Sequence, residues 1–192
     1  MTRAAAPAAP APRAEGVVEI LHTASFDTSF GTLRVASSQQ GGLVYVQLPR
    51  SCGRGFTGWL RRHAPGAELR ESRAQNRAAV AQLCEFLAGS RRRFDLPLDL
   101  RASDFQRRVY RALCEIPYGE TRSYADLARR IGHPGAARAV GAANGANPIS
   151  LVIPCHRVIA SGGGLGGYGG GLPMKRELLA LERQSPHPGD LL

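Results

Sequence analysis

Cys155 and His156 stand side by side in "NPISLVIPCHRVI", residues 147–159, with Pro154 before them and Arg157 after. A cysteine attacks as its thiolate, and an ordinary thiol, titrating near pH ~8.5, is mostly protonated at neutral pH. A histidine within reach can take that proton, and a carboxylate can orient the histidine. Neighbouring residues of a regular strand point to opposite faces, so the two side chains cannot pair directly along one. Either Pro154 starts a turn or a water bridges the pair. The competing reading is a small buried hydrophobe, the usual fate of a free cysteine. The dipeptide alone leaves that reading in front.

Such a pair needs a packed scaffold. The chain has 192 residues, 43% of them hydrophobic, enough for a core in one large domain or two small ones. Its formal charge is +10, and Lys175 is its only lysine. This balance favours an anionic partner, nucleic acid first, although an arginine-rich composition also serves solubility. Four cysteines, at 52, 84, 114 and 155, form no CxxC, and the five histidines show no ligand spacing. No metal site, cofactor or disulfide framework is expected, and the setting reads as reducing and cytoplasmic. The Ala/Pro-rich residues 1–15 read as a flexible tail rather than a signal peptide, and residues 186–192 as a second tail. No apolar run approaches a membrane span.

Residues 16–100 read as a small α/β scaffold domain. Short apolar runs, "VVEILHT", "TLRVASS" and "GLVYVQLP", are separated by turn residues and predict strands. Residues 51–66 read as irregular. A helix is expected over Ala67–Ala88, with Val80, Leu83, Cys84 and Leu87 as its buried stripe. Residues 101–185 differ. Ser103 is a candidate N-cap for a helix over Asp104–Ile116 with Phe105, Val109, Leu113 and Ile116 inside. Ser123 and Asp126 make a capping box before "YADLARRIG", and "AARAVGAAN" follows a Gly/Pro turn. Two short helices so joined predict a helix-turn-helix in a mostly helical C-terminal domain, and α+β for the chain. The second helix is small-sided, with Arg138 its one long cation. Gly162, Gly164 and Gly167 satisfy G-x-G-x-x-G, but no helix opens there, so dinucleotide binding is rejected.

"IPCHRV" at 153–158 resembles the signature of the O6-alkylguanine-DNA alkyltransferases. The likeness extends to "RSYADLA", "AARAVGAANGANP", "GYGGGL" and "KRELLALE", covering residues 104–182 in family order. It implies irreversible, stoichiometric DNA repair: transfer of an alkyl group from O6 of guanine, and from O4 of thymine, to Cys155, without a cofactor. It implies His156 as the base acting through a water, Glu182 as its orienting carboxylate and Asn147 as the brace of the active-site turn. Tyr124 would help turn the nucleotide out and donate a hydrogen bond to the base. Arg138 would fill the vacated stack, because O6 is out of a thiol's reach inside the duplex. Its helix would enter the minor groove of double-stranded DNA. Gln106, Ala125 and His133 fall at further DNA-contact positions. Ser161 and Tyr168 would line the base pocket, and Arg157 and Lys175 would be structural or backbone-contacting. Vertebrate members carry proline at the position of Ser150 and serine at that of Gly169, so Ser150 offers no flat ring and Gly169 no hydroxyl to this pocket.

Three other readings compete: a helix-turn-helix regulator, a lesion sensor that binds without transfer, and a Cys-His hydrolase acting on protein. Sensors of that kind lack the cysteine. Nothing in the sequence supplies an oxyanion hole or a peptide cleft.

Overall fold

The computed structural model describes residues 18–49 and 55–184, so both expected tails and Cys52 lie outside the described residues. The three apolar runs form β1 (Ile20–Thr28), β2 (Gly31–Ser38) and β3 (Leu43–Gln47), followed by α1 (Gly55–His63), β4 (Glu68–Glu71) and α2 (Arg73–Leu87). The sheet order is β3-β2-β1-β4, with β1–β2 and β2–β3 antiparallel and β4 parallel to β1. Leu21, Leu33, Val35 and Val44 are fully buried. Leu33 and Val35 belong to the main core, whereas Leu21 and Val44 join Ala36 in a second cluster with Phe56 and Trp59, so the sheet is covered on both faces and Val35–Ser38 of β2 is buried without alternation.

Three expectations for this half are corrected. Residues 55–63, expected to be irregular, form α1, whose Phe56 and Trp59 pack with Tyr45 against the sheet. The expected helix over Ala67–Ala88 begins six residues late, because Glu68–Glu71 pairs with Ile20–Thr23 as an exposed edge strand. No local propensity favours a strand in "ELRE"; the partner strand imposes it. Cys84 is exposed rather than core. The buried stripe of α2 is Asn76, Ala79, Leu83, Phe86 and Leu87, turned toward Phe86. Asn76 fixes that rotation by donating to the His22 carbonyl on β1 at 3.0 Å.

The second half holds α3 (Asp104–Cys114), β5 (Arg122–Ser123), α4 (Tyr124–Arg130), α5 (Ala137–Gly145), β6 (Val158–Ile159) and α6 (Gly171–Gln184). Ser103 caps α3 and exchanges hydrogen bonds with Gln106; Ser123 and Asp126 do the same at α4. Each cap satisfies amides left open by the first turn, at about 1 kcal/mol. α4 and α5 pack on each other and on α3 as a helix-turn-helix.

One continuous core crosses the expected boundary near residue 101. It joins Phe26, Leu33, Leu83 and Phe86 to Val109, Leu113, Val140 and Cys155. Backbone also crosses, since the Val46 amide donates to the Pro148 carbonyl at 2.8 Å. The N-terminal sheet and α2 therefore buttress the segment that leads to the cysteine.

Candidate active site

The approach to Cys155 is a strained turn. Leu151 has φ 74, in the left-handed region, and is almost fully buried. Such a backbone costs on the order of 1–3 kcal/mol in a non-glycine residue and persists only where its surroundings fix it. Asn147 is what fixes it. Its side-chain oxygen accepts from the Ile149 amide at 3.0 Å and its Nδ2 donates to the Ile153 carbonyl at 2.8 Å, stapling both ends of the turn. The chain then enters a single 3-10 turn, Cys155–Arg157, from Pro154. The pair is thus on a turn that begins at Pro154 and not on a strand, but the turn does not bring the two side chains into a direct hydrogen bond, since His156 Nδ1 has no protein partner.

Cys155 lies at a cleft of about 960 Å³ that runs between α1 and the helix-turn-helix. Gln106, Tyr124, Asn147, Ser150, Tyr168 and Gly169 all line it. Burial pushes the thiol up from its ordinary value, opposed by hydrogen bonding from Asn147 and Ser150 and by the charge of Lys175. A thiol so placed needs a proton acceptor to become a nucleophile.

His156 and Glu182 sit behind it. His156 Nε2 lies 2.8 Å from Glu182 Oε1, and both side chains are fully buried. Arg157 Nε donates to Glu182 Oε2 at 2.9 Å, its second nitrogen donates to Oε1 at 3.0 Å, and its third to the Ile116 carbonyl at 2.8 Å. The Gly119 amide donates to Oε2 at 2.9 Å. Burial alone would raise the Glu182 carboxyl, but the hydrogen bonds from His156 and Arg157 hold it at about 2. The carboxylate is therefore ionised. Burial pushes His156 down, against Glu182, so its neutral form is favoured. With Nε2 facing a carboxylate, the neutral ring carries its proton there and leaves Nδ1 as an acceptor. Nδ1 is buried and has no protein partner.

Two rings flank the imidazole. Phe86 of α2 stands 6.2 Å away by centroids at 62°, and Tyr168 stands 6.3 Å away at 76°. Lys175 reaches up from α6 to donate to the carbonyls of Val158 at 2.6 Å, Leu165 and Gly167 at 3.4 Å, and burial lowers its amine to about 8. It thereby ties the glycine-rich loop to the body of the domain. At Gly166, φ 65, an added Cβ would fall 3.0 Å from the Tyr124 hydroxyl, so only glycine lets the loop lie against that ring.

The other positions fall elsewhere. Ala125 and Ser161 line a separate concavity beside Arg122 and Arg129. Arg138 is exposed on α5, where Ala139, Ala142 and Gly145 are also exposed. His133 is exposed in the turn between α4 and α5, its ring 6.2 Å from that of Phe105. Sequence reasoning missed three participants. Tyr110 lines the cleft, Asn144 Nδ2 donates to the Cys155 carbonyl at 3.4 Å, and Phe86 faces His156. Arg157, expected to be structural or backbone-contacting, donates to the Ile116 carbonyl and in addition neutralises Glu182. Among the described residues, no group of three or more His, Cys, Asp or Glu could hold a metal, and no helix is long and apolar enough to cross a membrane.

A family model described as the 6-O-methylguanine DNA methyltransferase DNA-binding domain matches residues 104–184. A methylated-DNA--protein-cysteine methyltransferase of Mycolicibacterium paratuberculosis is 65% identical over 106 residues, 55% of this chain and 64% of that protein's length. One from Mycobacterium leprae is 43% identical over 164 residues, 85% of this chain and 93% of that protein. The crystal structure of Mycobacterium tuberculosis OGT in complex with DNA superposes with a TM-score of 0.75 at 42% identity, covering 87% of this chain and 96% of that one. With a buried cysteine reached through a braced turn, a histidine–carboxylate pair behind it and a helix-turn-helix beside it, the chain belongs to the methylated-DNA--protein-cysteine methyltransferase family.

Proposed function

We propose that the protein repairs O6-alkylguanine in double-stranded DNA by moving the alkyl group onto Cys155, once per molecule. The observation that carries this reading is the placement of a buried thiol on the cleft with His156 in the same turn, paired at 2.8 Å to Glu182 of α6. His156 takes the thiol proton through a water at Nδ1. The sulfur forms a bond to the alkyl carbon, the carbon–O6 bond breaks, and its electron pair leaves with the guanine, which is neutralised by a proton. Tyr124, whose hydroxyl burial holds protonated, donates on the cleft side, and the thiol proton held by His156 returns through solvent to restore the neutral tyrosine, so one proton moves from thiol to guanine overall. The product is a thioether, which water does not cleave readily, so turnover stops. O4-alkylthymine offers the same oxygen-bound carbon and is a second substrate.

Duplex DNA is engaged as a monomer through its minor groove, with α5 as the inserted helix and Arg138 filling the stack of the flipped nucleotide. The small exposed side chains of α5 favour that close approach. Gln106, Ala125 and His133 contribute to the DNA surface, and Ser150, Tyr168 and Gly169 to the base pocket; Ser161, expected in that pocket, lies instead in the concavity shared with Ala125 and is assigned to the DNA surface. The site of action is the cytoplasm. A sensor without transfer activity would have no use for a nucleophile and its base.

Incubation with duplex DNA containing O6-methylguanine, followed by mass spectrometry, tests this. One added methylene on Cys155 per molecule is expected. Cys155→Ser should bind the same duplex and transfer nothing; transfer by that variant, or an adduct at another residue, would overturn the assignment.

A further inference from the structure

The imidazole of His156 is held at one atom by Glu182, at 2.8 Å from Nε2. A single hydrogen bond fixes that atom and leaves the tilt of the ring to packing. Packing here comes from two sides. Tyr168 belongs to the loop before α6; Phe86 belongs to α2, in the other half of the chain, 70 positions away in sequence. Phe86 is fully buried and is itself locked, with Phe94 at 5.1 Å and Tyr118 edge-on at 6.1 Å. The guanidinium groups of Arg92 and Arg157 lie over the Tyr118 ring at 5.4 and 5.5 Å. A continuous aromatic wall therefore runs from the N-terminal half to the proposed base.

We infer that Phe86 is a positioning residue for His156: its ring, packed edge-to-face with the imidazole, fixes the imidazole plane and so the direction of Nδ1. The inference rests on the reading of His156 as the base. It gives the N-terminal half a part in the chemistry that the sequence had assigned to scaffold alone. The same wall shields the imidazole from bulk solvent, leaving the proposed proton transfer to the single water at Nδ1. The other charged and titratable groups around His156 are Cys155 and Arg157 from its own turn, Tyr168 from the loop, and Glu182 and Lys175 from α6. Phe86 adds no charge to this set; it acts by shape and by keeping bulk solvent from the ring.

The test is single-turnover transfer from a duplex containing O6-methylguanine, followed across about pH 5 to 8, where a histidine titrates. Phe86→Leu keeps an apolar side chain and removes the ring edge. Leu83→Val, one turn earlier on the same buried stripe, gives a matched packing defect away from the imidazole. Phe86→Leu should transfer about tenfold more slowly, the scale on which a mispositioned base loses rate. Its DNA affinity should be unchanged. The acid limb of its pH profile should move to higher pH, because a better hydrated imidazole protonates more readily and a protonated base cannot accept. Leu83→Val should do neither. Imidazole titration by NMR gives the same reading where either variant is too unstable for kinetics. A wild-type rate and pH profile in Phe86→Leu, or the same change in Leu83→Val, overturns the inference. His156→Ala is the control for the parent reading: if that variant transfers at the wild-type rate, the base assignment fails, whereas a slow His156→Ala beside a normal Phe86→Leu refutes Phe86 alone.

Discussion

Glu182 shows what one buried charge does at several levels. It accepts from His156, Arg157 and Gly119, and against the upward push of burial the bonds and charges of His156 and Arg157 hold its carboxyl at about 2, below an ordinary value of 4.5. A folded-state value below the unfolded one contributes stability above the unfolded value and loses it as pH falls through the folded one. Two and a half decades correspond to a contribution on the order of 3 kcal/mol. That contribution should be complete above about pH 5 and vanish as pH falls toward 2. Urea unfolding at stepped pH checks this. Glu182→Gln should lose stability at neutral pH, because Arg157 is left buried without its counter-charge. Its unfolding free energy should also depend less on pH below about 5. Equal acid sensitivity in the two proteins would show that another carboxylate dominates. The same substitution should slow transfer by roughly 10²-fold, the cost of disorienting a general base. Only part of this was legible in the sequence. Adjacency made Cys155 and His156 candidates without lifting them above a buried structural cysteine, and Glu182 lies 26 positions from His156 on a helix, where a lone charge reads as a solvated surface residue. The family motif, not the residue chemistry, pointed to it. Arg157 was read as structural; the fold makes it both structural and the electrostatic reason that Glu182 stays ionised.

Elements were legible where their signals are local. The two capping boxes at Ser103 and Ser123 and the Gly/Pro break before α5 placed three helices nearly to the residue. The apolar runs placed β1, β2 and β3. What failed depended on partners distant in sequence: β4 exists because β1 is beside it, and α2 buries Phe86 rather than Cys84 because Asn76 anchors the helix to β1. α5 illustrates an element whose function depends on what it lacks. Val140, Ala143 and Asn144 hold it to the core, while Arg138 projects from a face otherwise made of alanine and glycine. If Arg138 replaces the flipped nucleotide in the stack, Arg138→Ala should slow repair of a well-paired lesion far more than it weakens binding, by an amount worth a few kcal/mol. A lesion opposite a mismatch is already partly unstacked and should suffer less. Stopped-flow measurement with a fluorescent base beside the lesion separates the two steps, and equal losses in both contexts would remove the finger role.

At the scale of the whole molecule, net charge alone does not locate the DNA surface. Residues 104–184 carry eleven basic and six acidic side chains, and the remainder of the chain carries fourteen and nine, so both parts are equally cationic. Placement decides instead. Around the concavity formed by Ser123, Ala125 and Ser161 stand Arg122 and Arg129, each paired with an exposed acid, Glu120 and Asp126 respectively. Exposed pairs of this kind are worth ~0–1 kcal/mol and exchange readily for a phosphate. Arg34 and Arg77, on β2 and α2, are exposed on the sheet half and make the comparison. Each phosphate neutralised releases counterions and steepens the fall of log affinity with log salt by about 0.9. Arg122→Gln with Arg129→Gln should therefore weaken duplex binding at low salt and flatten that dependence by up to about 2. Arg34→Gln with Arg77→Gln removes the same formal charge and should leave the slope unchanged. Fluorescence anisotropy of a labelled duplex over a salt series measures both. Equal flattening by the two pairs would mean that diffuse attraction by the whole cationic molecule drives binding, rather than arginines placed beside the helix-turn-helix.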